Sequence, residues 1–210
     1  MDESKYKELN IAQKVSETDP FTIERYRQFQ KFFPAQTVRI LDIGCNTGRG
    51  GAELKRINPG YVICGIDIVQ ERLNQLPGDV YDEVILGSAS DIPSEDNAFD
   101  AVVAGEFIEH LYAQDVMKTI AEVFRVLKIG GRFLLTTPNP NALKLRLRGL
   151  SMLGGSHVSQ HFPRLLKTQL MMMGFSRVKL FGSGRATRYF GYHFPVLSVY
   201  GSYLAVGTKY

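Results

Sequence analysis

The sequence predicts a single α/β domain built around a mostly parallel β-sheet. Short apolar runs alternate with longer segments of helical periodicity, and the first of these runs ends in a glycine-rich turn. The size agrees, because a chain of 210 residues that is 44% apolar can bury one substantial core. Such alternation is typical of parallel βαβ units.

The elements follow in a regular order along the chain. Asp19-Pro20 predicts the start of an amphipathic helix within an N-terminal helical extension, residues 1–37. The sheet domain is predicted over residues 38–210. Its predicted strands are residues 38–43, 61–66, 83–86, 100–104, 132–137, 175–181 and 203–208, and its predicted helices include 69–76, 114–128 and 163–173.

The charge is distributed unevenly although the net charge is only +4. From Val123 onward there are 13 Lys or Arg and no Asp or Glu, whereas 12 basic and 21 acidic residues come before it. A surface of one sign attracts ligands of the other, so the pattern favours an anionic substrate, carrier or surface. The alternative is that these charges are scattered over the solvent face.

Other features concern the compartment. Cys45 and Cys64 have no metal-type spacing and are interpreted as reduced structural thiols. The first residues are charged, and nowhere do 18 uncharged apolar residues run together. These observations favour a cytoplasmic protein with neither a secretion signal nor a membrane span.

The residues from Arg39 to Gly48 carry the strongest functional signal. An apolar strand ends in an acidic residue and a glycine turn, and a helix follows. Gly44 permits a tight turn and a close approach of ligand, and Gly48 lets the helix start with its free N–H groups facing the site. Asp67 ends the next strand, where its carboxylate can accept hydrogen bonds from ribose hydroxyls.

The acidic residue in this turn separates two classes of ligand. A nicotinamide fold requires G-x-G-x-x-G around an anionic pyrophosphate, and the spacing of Gly44, Gly48 and Gly50 does not match it. The carboxylate of Asp42 is better suited to a cationic amino group than to phosphate. The loop therefore favours a nucleoside with an amino-acid tail over NAD.

Taken together, residues Arg39 to Thr137 resemble the class I S-adenosylmethionine-dependent methyltransferases, in the broad group that includes ubiquinone-biosynthesis enzymes. The family pattern D-x-G-x-G-x-G is met at Asp42, Gly44 and Gly48, with Asn46 in place of the central glycine. The resemblance implies a Rossmann-like, seven-stranded, mostly parallel sheet with helices on both faces and a C-terminal antiparallel strand pair.

The resemblance also implies roles for individual residues. The methionine part of the cofactor would lie against the loop, and the adenosine part against the ends of the next two strands. As alternatives, Asp67 could be a helix N-cap and Asp91 a turn residue. The implied cofactor-binding residues are Asp42, Gly44, Cys45, Asn46 and Gly48 for methionine, Asp67 for ribose, Ile68, Asp91 and Ile92 for adenine, and Glu106 in the methionine pocket.

Glu106, Glu109 and His110 follow the fourth strand with a spacing that puts them on one face if the segment is helical. The set resembles the metal motif of some methyltransferases that modify hydroxyls, with His157 or His161 as further ligands. It also resembles relatives without metal, and we favour S-adenosylmethionine as the cofactor with no resident metal. The candidate catalytic residues are Glu106 and the possible bases His110, His157 and His161.

The basic half is predicted to bind the acceptor, in segments near residues 138–160 and 182–202. Leu143–Arg148 alternates apolar and cationic residues, which suits an anionic or lipid-linked acceptor or a membrane surface in either strand or helix form. A second basic and aromatic cluster comprises Arg185, Arg188, Tyr189, Tyr192 and His193.

Three functional hypotheses remain from the sequence. We favour methylation, on oxygen, of a small or lipid-linked anionic acceptor. A metal-assisted RNA 2'-O-methyltransferase is an alternative, although no RNA-binding module is visible and the pI of 9.0 is moderate. The third is a non-catalytic regulator that keeps the cofactor fold and binds a partner through its basic half.

Overall fold

The computed structural model describes residues 6–8, 11 and 18–210, so much of the predicted N-terminal extension lies outside the described residues. The described residues form one seven-stranded sheet in the order β3-β2-β1-β4-β5-β7-β6. Neighbouring strands are parallel from β3 to β5, and β7 runs antiparallel to both β5 and β6. The strands are β1 Arg39–Ile43, β2 Val62–Asp67, β3 Glu83–Leu86, β4 Phe99–Gly105, β5 Leu127–Pro138, β6 Ser176–Ser183 and β7 Ser202–Thr208.

Helices connect these strands. Short 3-10 turns lie at Ile108–His110 and Leu197–Val199. None of the described helices is long and apolar enough to cross a membrane. The α-helices are α1 Thr22–Gln30, α2 Arg49–Ile57, α3 Gln70–Leu73, α4 Ala113–Val126, α5 Leu143–Arg148, α6 Pro163–Met172 and α7 Thr187–Phe190.

Both faces of the sheet are buried, which explains why its central strands are almost wholly apolar. Successive residues of a strand point to opposite faces, so Leu41 joins one core cluster and Ile40 the other. The first cluster includes Val116 of α4 and Leu166 of α6, and the second includes Phe29 of α1. The predicted α/β class, with helices on both faces and an antiparallel C-terminal pair, is confirmed.

Three local features differ from the sequence prediction. The glycines at 130 and 131 lie in a bulge within β5, where the pairing with β4 loses register, rather than in a turn before the strand. The helix predicted over residues 69–76 is only one turn, α3. The segment from Glu106 to His110 is not a regular helix, because Glu106 has a φ of 51° and only a 3-10 turn follows.

Candidate functional site

The candidate site lies at the carboxyl ends of the parallel strands, as expected for an open α/β sheet. The loops after β1, β2, β3 and β4 surround an inner cavity of about 750 Å³. A middle cavity of about 1000 Å³ adjoins it and shares Gly44, Asn46, Glu106 and His110 with it. An outer cleft of about 1680 Å³ shares Arg25, Glu106 and Ser202 with the middle cavity. Glu106 therefore lines all three spaces.

The loop after β1 brings backbone close to the inner cavity. Gly44 has a φ of 67°, and a Cβ there would come within 2.7 Å of the Phe107 ring, so only glycine fits. The backbone N–H of Asn46 donates a hydrogen bond to Asp67 Oδ2 at 3.0 Å. Gly48, at the N-cap of α2, has a φ of 82° but does not line either cavity. Of residues 44–48, Gly44 and Asn46 thus line the inner cavity.

Asp67 is the buried acid of the inner cavity, with 6% of its surface exposed. Its Oδ1 accepts a hydrogen bond from the Val69 N–H at 3.0 Å, and each carboxylate oxygen has a second lone pair for a ligand. Burial raises the pKa of this carboxyl above its usual range. It is not a helix N-cap, because Val69 occupies that position before α3.

Asp42 lies beneath the loop and not at the cavity, which corrects the role expected for it. The residue is fully buried, and its two oxygens accept hydrogen bonds from Tyr26 Oη at 2.5 Å and Tyr81 Oη at 2.6 Å. Burial raises the pKa of Asp42 to about 6, with the two tyrosines acting in the opposite direction. The carboxylate therefore joins α1 and the chain before β3 to β1, and does not face a ligand.

The residues expected at adenine also require a correction. Asp91 is exposed, and Ile92 is a core residue whose N–H donates to Glu122 Oε2 at 2.9 Å; neither lines the inner cavity. Ser88 and Ala89 line it instead, directly after β3. Their position directly after a parallel strand could have indicated them, because parallel strands end at the same edge of the sheet.

Glu106 has an incompletely satisfied carboxylate at the junction of the cavities. Its Oε2 accepts a hydrogen bond from Ser202 Oγ at 3.2 Å. Its buried Oε1 has no hydrogen-bond partner, and the Arg25 Nε is 3.7 Å away, beyond hydrogen-bonding range. An unsatisfied carboxylate oxygen is costly to bury, so this atom is a natural acceptor for a cationic ligand group.

Two histidines and a glutamate meet in the middle cavity. His110 Nδ1 is 3.1 Å from the Ser156 carbonyl oxygen, and His157 Nδ1 is 3.1 Å from the Met152 carbonyl oxygen. A carbonyl only accepts hydrogen bonds, so Nδ1 of each ring carries a proton, and in the neutral form of the ring the lone pair lies on Nε2. Burial lowers the pKa of His110 to about 4.

Glu109 completes this cluster. One ligand atom from each of Glu109, His110 and His157 lies within 4.8 Å of the others, a spacing that could hold a metal ion. Glu109 Oε1 is buried without a hydrogen-bond partner, while Oε2 accepts from Thr137 Oγ1 at 3.0 Å. Burial and the nearby Glu106 raise the pKa of Glu109. The residues that could bind a metal are thus these three, with Glu106 nearby but outside the set.

The remaining predicted residues divide between the cavities and the core. Cys45 lines the middle cavity. Ile68 lines the inner cavity, as expected. His161 lines none of these three spaces, since it is buried with its Nε2 2.9 Å from Ser159 Oγ and 3.2 Å from the Ile108 carbonyl oxygen. The structure therefore does not bring His161 together with the other candidate bases.

Sequence reasoning missed side chains that reach the cavities from distant segments. Tyr6 lines the inner cavity, and its hydroxyl donates to Asp115 Oδ2 at 2.7 Å. Arg25 of α1 lines the middle cavity and the outer cleft. Both come from the predicted N-terminal extension, and no pattern within it indicates where it packs.

Comparison with known proteins agrees with this geometry. Residues 41–135 match the family model described as a methyltransferase domain. A demethylmenaquinone methyltransferase from Symbiobacterium thermophilum is 31% identical over 123 residues, which are 52% of this chain and 48% of the relative. A fatty-acid O-methyltransferase from Mycolicibacterium smegmatis is 33% identical over 136 residues, which are 60% of this chain and 47% of the relative. The chain spans about half the length of these curated relatives.

A solved structure extends the similarity to nearly the whole fold. The S-adenosylmethionine-dependent methyltransferase from Archaeoglobus fulgidus superposes with a TM-score of 0.69 at 22% identity, over 89% of this chain and 92% of that one. At this identity the likeness concerns the fold. Residues 41–135 thus match a methyltransferase domain in sequence, and the described fold is the Rossmann-like fold of the S-adenosylmethionine-dependent methyltransferases.

Proposed function

We propose that the chain binds S-adenosylmethionine in the inner cavity and transfers its methyl group to an acceptor in the middle cavity. One observation carries the proposal: Asp67 and Glu106, whose Oε1 accepts no hydrogen bond from the described residues, line the same cavity. A ligand with ribose hydroxyls at one end and an ammonium group at the other satisfies both carboxylates. S-adenosylhomocysteine is then the product that stays in the cavity.

Each part of the cofactor has a matching surface in the proposed complex. Asp67 accepts hydrogen bonds from the ribose hydroxyls, and Ile68 and Ala89 provide apolar contact for the adenine ring. Glu106 pairs with the ammonium group, while Gly44 and Asn46 bring backbone close to the methionine chain. Asp42 acts indirectly, by holding the loop in place from below.

His110 is the proposed base for an oxygen acceptor. Its low pKa keeps the ring neutral at pH 7, and the Ser156 carbonyl fixes the proton on Nδ1, so Nε2 is available to accept a proton. The bound cofactor supplies a methyl group already activated on a sulfonium. The protein's remaining task is to hold the acceptor oxygen in line with that methyl group, which is a matter of position.

A divalent cation held by Glu109, His110 and His157 is the second candidate for activating the acceptor. Both Nε2 lone pairs and the unpartnered Glu109 Oε1 favour it, since metal-bound imidazoles usually donate their other N–H to a carbonyl or carboxylate. When bound, such an ion would lower the pKa of an acceptor hydroxyl. Calorimetry with Mn²⁺ and Mg²⁺ on wild type and His157→Ala separates the two candidates. Heat of binding that is lost in the variant supports the ion, and no heat in wild type leaves His110 as the base.

The acceptor is proposed to be a small or lipid-linked anionic molecule that enters through the outer cleft. Both predicted acceptor segments contribute to this cleft, Leu143 and Leu147 from the first and Arg185 and Tyr189 from the second. Its apolar and cationic side chains suit a molecule with a long apolar part and a negative charge. The relative named for fatty acids supports the same class.

Transfer of tritium from methyl-labelled S-adenosylmethionine into a cell extract tests this function. Incubation with wild type should place label in the organic-soluble fraction, and Asp67→Ala should lose most of it. A protein that binds S-adenosylhomocysteine but transfers no label to any fraction would instead be a non-catalytic regulator.

A further inference from the structure

The segment around α5 carries exposed leucines beside exposed cations. Leu147 is 77% exposed and Leu150 is 57% exposed, and none of the residues of α5 is buried. With 3.6 residues per turn, Leu143 and Leu147 share one face of α5. Lys144 and Arg148 flank that face on one side and Arg146 on the other. The half-buried Leu145 points away from it, toward the protein.

A second exposed apolar group also lines the outer cleft. Tyr189 is 74% exposed and Phe190 is 50% exposed, and both belong to α7. Arg185 precedes them and is also exposed. Because α5 and α7 line the same cleft, their apolar side chains surround one mouth. The mouth is therefore lined by both leucines and aromatic rings.

Four of the cations on this surface form no ion pair with a described residue. Within the described part of the chain, Lys144, Arg146, Arg148 and Arg185 form no ion pair, whereas Arg188 pairs with Glu24. The sequence has no Asp or Glu after Glu122. The surface thus combines exposed apolar side chains with four cations that form no ion pair among the described residues.

We propose that this surface, formed by α5, Leu150, Arg185 and α7, docks on an anionic phospholipid bilayer. Exposed leucines and aromatic rings enter the boundary between headgroups and acyl chains, while flanking cations bind the phosphates. Charge complementarity selects a bilayer of net negative charge. A nucleic acid would use the cations but would leave the leucines exposed to water.

Docking in this orientation places the mouth of the outer cleft against the lipid. If the proposed methyl transfer is correct, an apolar acceptor could then pass from the bilayer to the middle cavity without crossing water. This consequence rests on the proposed function, whereas docking itself does not. The test below measures docking without cofactor or acceptor.

Flotation with lipid vesicles tests the role of charge. Wild type should float with vesicles that contain phosphatidylglycerol, remain behind with pure phosphatidylcholine, and detach at high salt. Arg146→Gln/Arg148→Gln should weaken binding by about fivefold for each cation removed, or about 25-fold. The matched control, Arg164→Gln/Lys167→Gln on α6, removes the same charge outside the cleft and should bind like wild type.

A tryptophan placed in the surface tests insertion, because the natural chain has no tryptophan. Leu147→Trp should show a blue shift with anionic vesicles and quenching by brominated acyl chains. Met172→Trp, at a residue 75% exposed on α6, should show neither.

Three outcomes would overturn the proposal. They are no flotation of wild type with anionic vesicles, an equal loss of binding in both double variants, and an unquenched Leu147→Trp. Retention of wild type by single-stranded RNA with no flotation would assign the cations to nucleic acid instead. None of these results depends on whether S-adenosylhomocysteine binds.

Discussion

The inner cavity and the outer cleft differ in what determines them. The inner cavity depends on the backbone of the loops after β1 to β4 and on two acids, the buried Asp67 and the partly buried Glu106. The outer cleft depends on exposed side chains of α5 and α7, which are about 40 residues apart in sequence and meet only in the folded chain. The residues of the inner cavity can be predicted from sequence motifs. For the outer cleft, the sequence predicts the kinds of side chain that line it but not its shape.

The largest expected effect concerns the buried acid of the inner cavity. Asp67→Ala should weaken S-adenosylhomocysteine binding at least about 100-fold, because hydrogen bonds to a charged group contribute roughly 1.5–3 kcal/mol each. Titration calorimetry measures it. Asp91→Ala is the matched control and should bind like wild type, since Asp91 is exposed and outside the cavity. Equal losses of affinity in both variants would mean that Asp91 also contacts the ligand. Asp67→Asn keeps the shape of the side chain and so controls for misfolding of Asp67→Ala.

The pH dependence of folding should report on His110. Its folded pKa of about 4 lies below the usual value of 6.5, so the unfolded chain binds the proton more tightly. The contribution of His110 to the free energy of unfolding is present above pH 6.5 and is lost as the pH falls to 4, a change of about 3 kcal/mol. Urea unfolding of wild type and His110→Gln from pH 7 to pH 4 measures this contribution. Wild type should lose more stability than the variant; parallel curves would contradict the neutral, buried ring.

A smaller effect is expected beneath the loop. Tyr26→Phe removes one donor from the buried Asp42 and should lower the free energy of unfolding by about 1–3 kcal/mol. Affinity for S-adenosylhomocysteine should stay close to that of wild type, because Asp42 does not line the cavity. Urea unfolding and calorimetry on the same variant distinguish the two effects. Lost affinity at unchanged stability would mean that Asp42 contacts the ligand after all.

The smallest effect concerns Tyr6. Its hydroxyl donates to Asp115 and accepts from the Tyr112 N–H at 2.8 Å, while the residue lines the inner cavity. Tyr6→Phe keeps the ring but loses this anchor, so affinity for S-adenosylhomocysteine should fall about fivefold, the equivalent of one hydrogen bond. An unchanged affinity would show that the hydroxyl does not hold this wall in place.

Much of the fold could be predicted from the sequence, because strand and helix periods are local. The placement of Gly44, Asp67 and Glu106 followed from the rule that parallel strands end at one edge of the sheet. Asp42 was misjudged because its partners, Tyr26 and Tyr81, come from other elements. Such an error arises where a side chain contacts residues that are distant in sequence, because the local sequence pattern carries no information about those contacts.

The segment around His110 differs from the geometry considered from the sequence. A helix would have put Glu106, Glu109 and His110 on one face, whereas the segment contains a positive φ at Glu106 and only a 3-10 turn after it. His157 joins them through a loop about 50 residues away. Residue types were therefore a better guide here than spacing.

A crystal structure with S-adenosylhomocysteine tests the central claim most directly. The account predicts the nucleoside in the inner cavity, with ribose hydroxyls within hydrogen-bonding distance of Asp67 and the ammonium group against Glu106 Oε1. A nucleoside bound elsewhere, or one whose ribose and ammonium avoid both carboxylates, would contradict it.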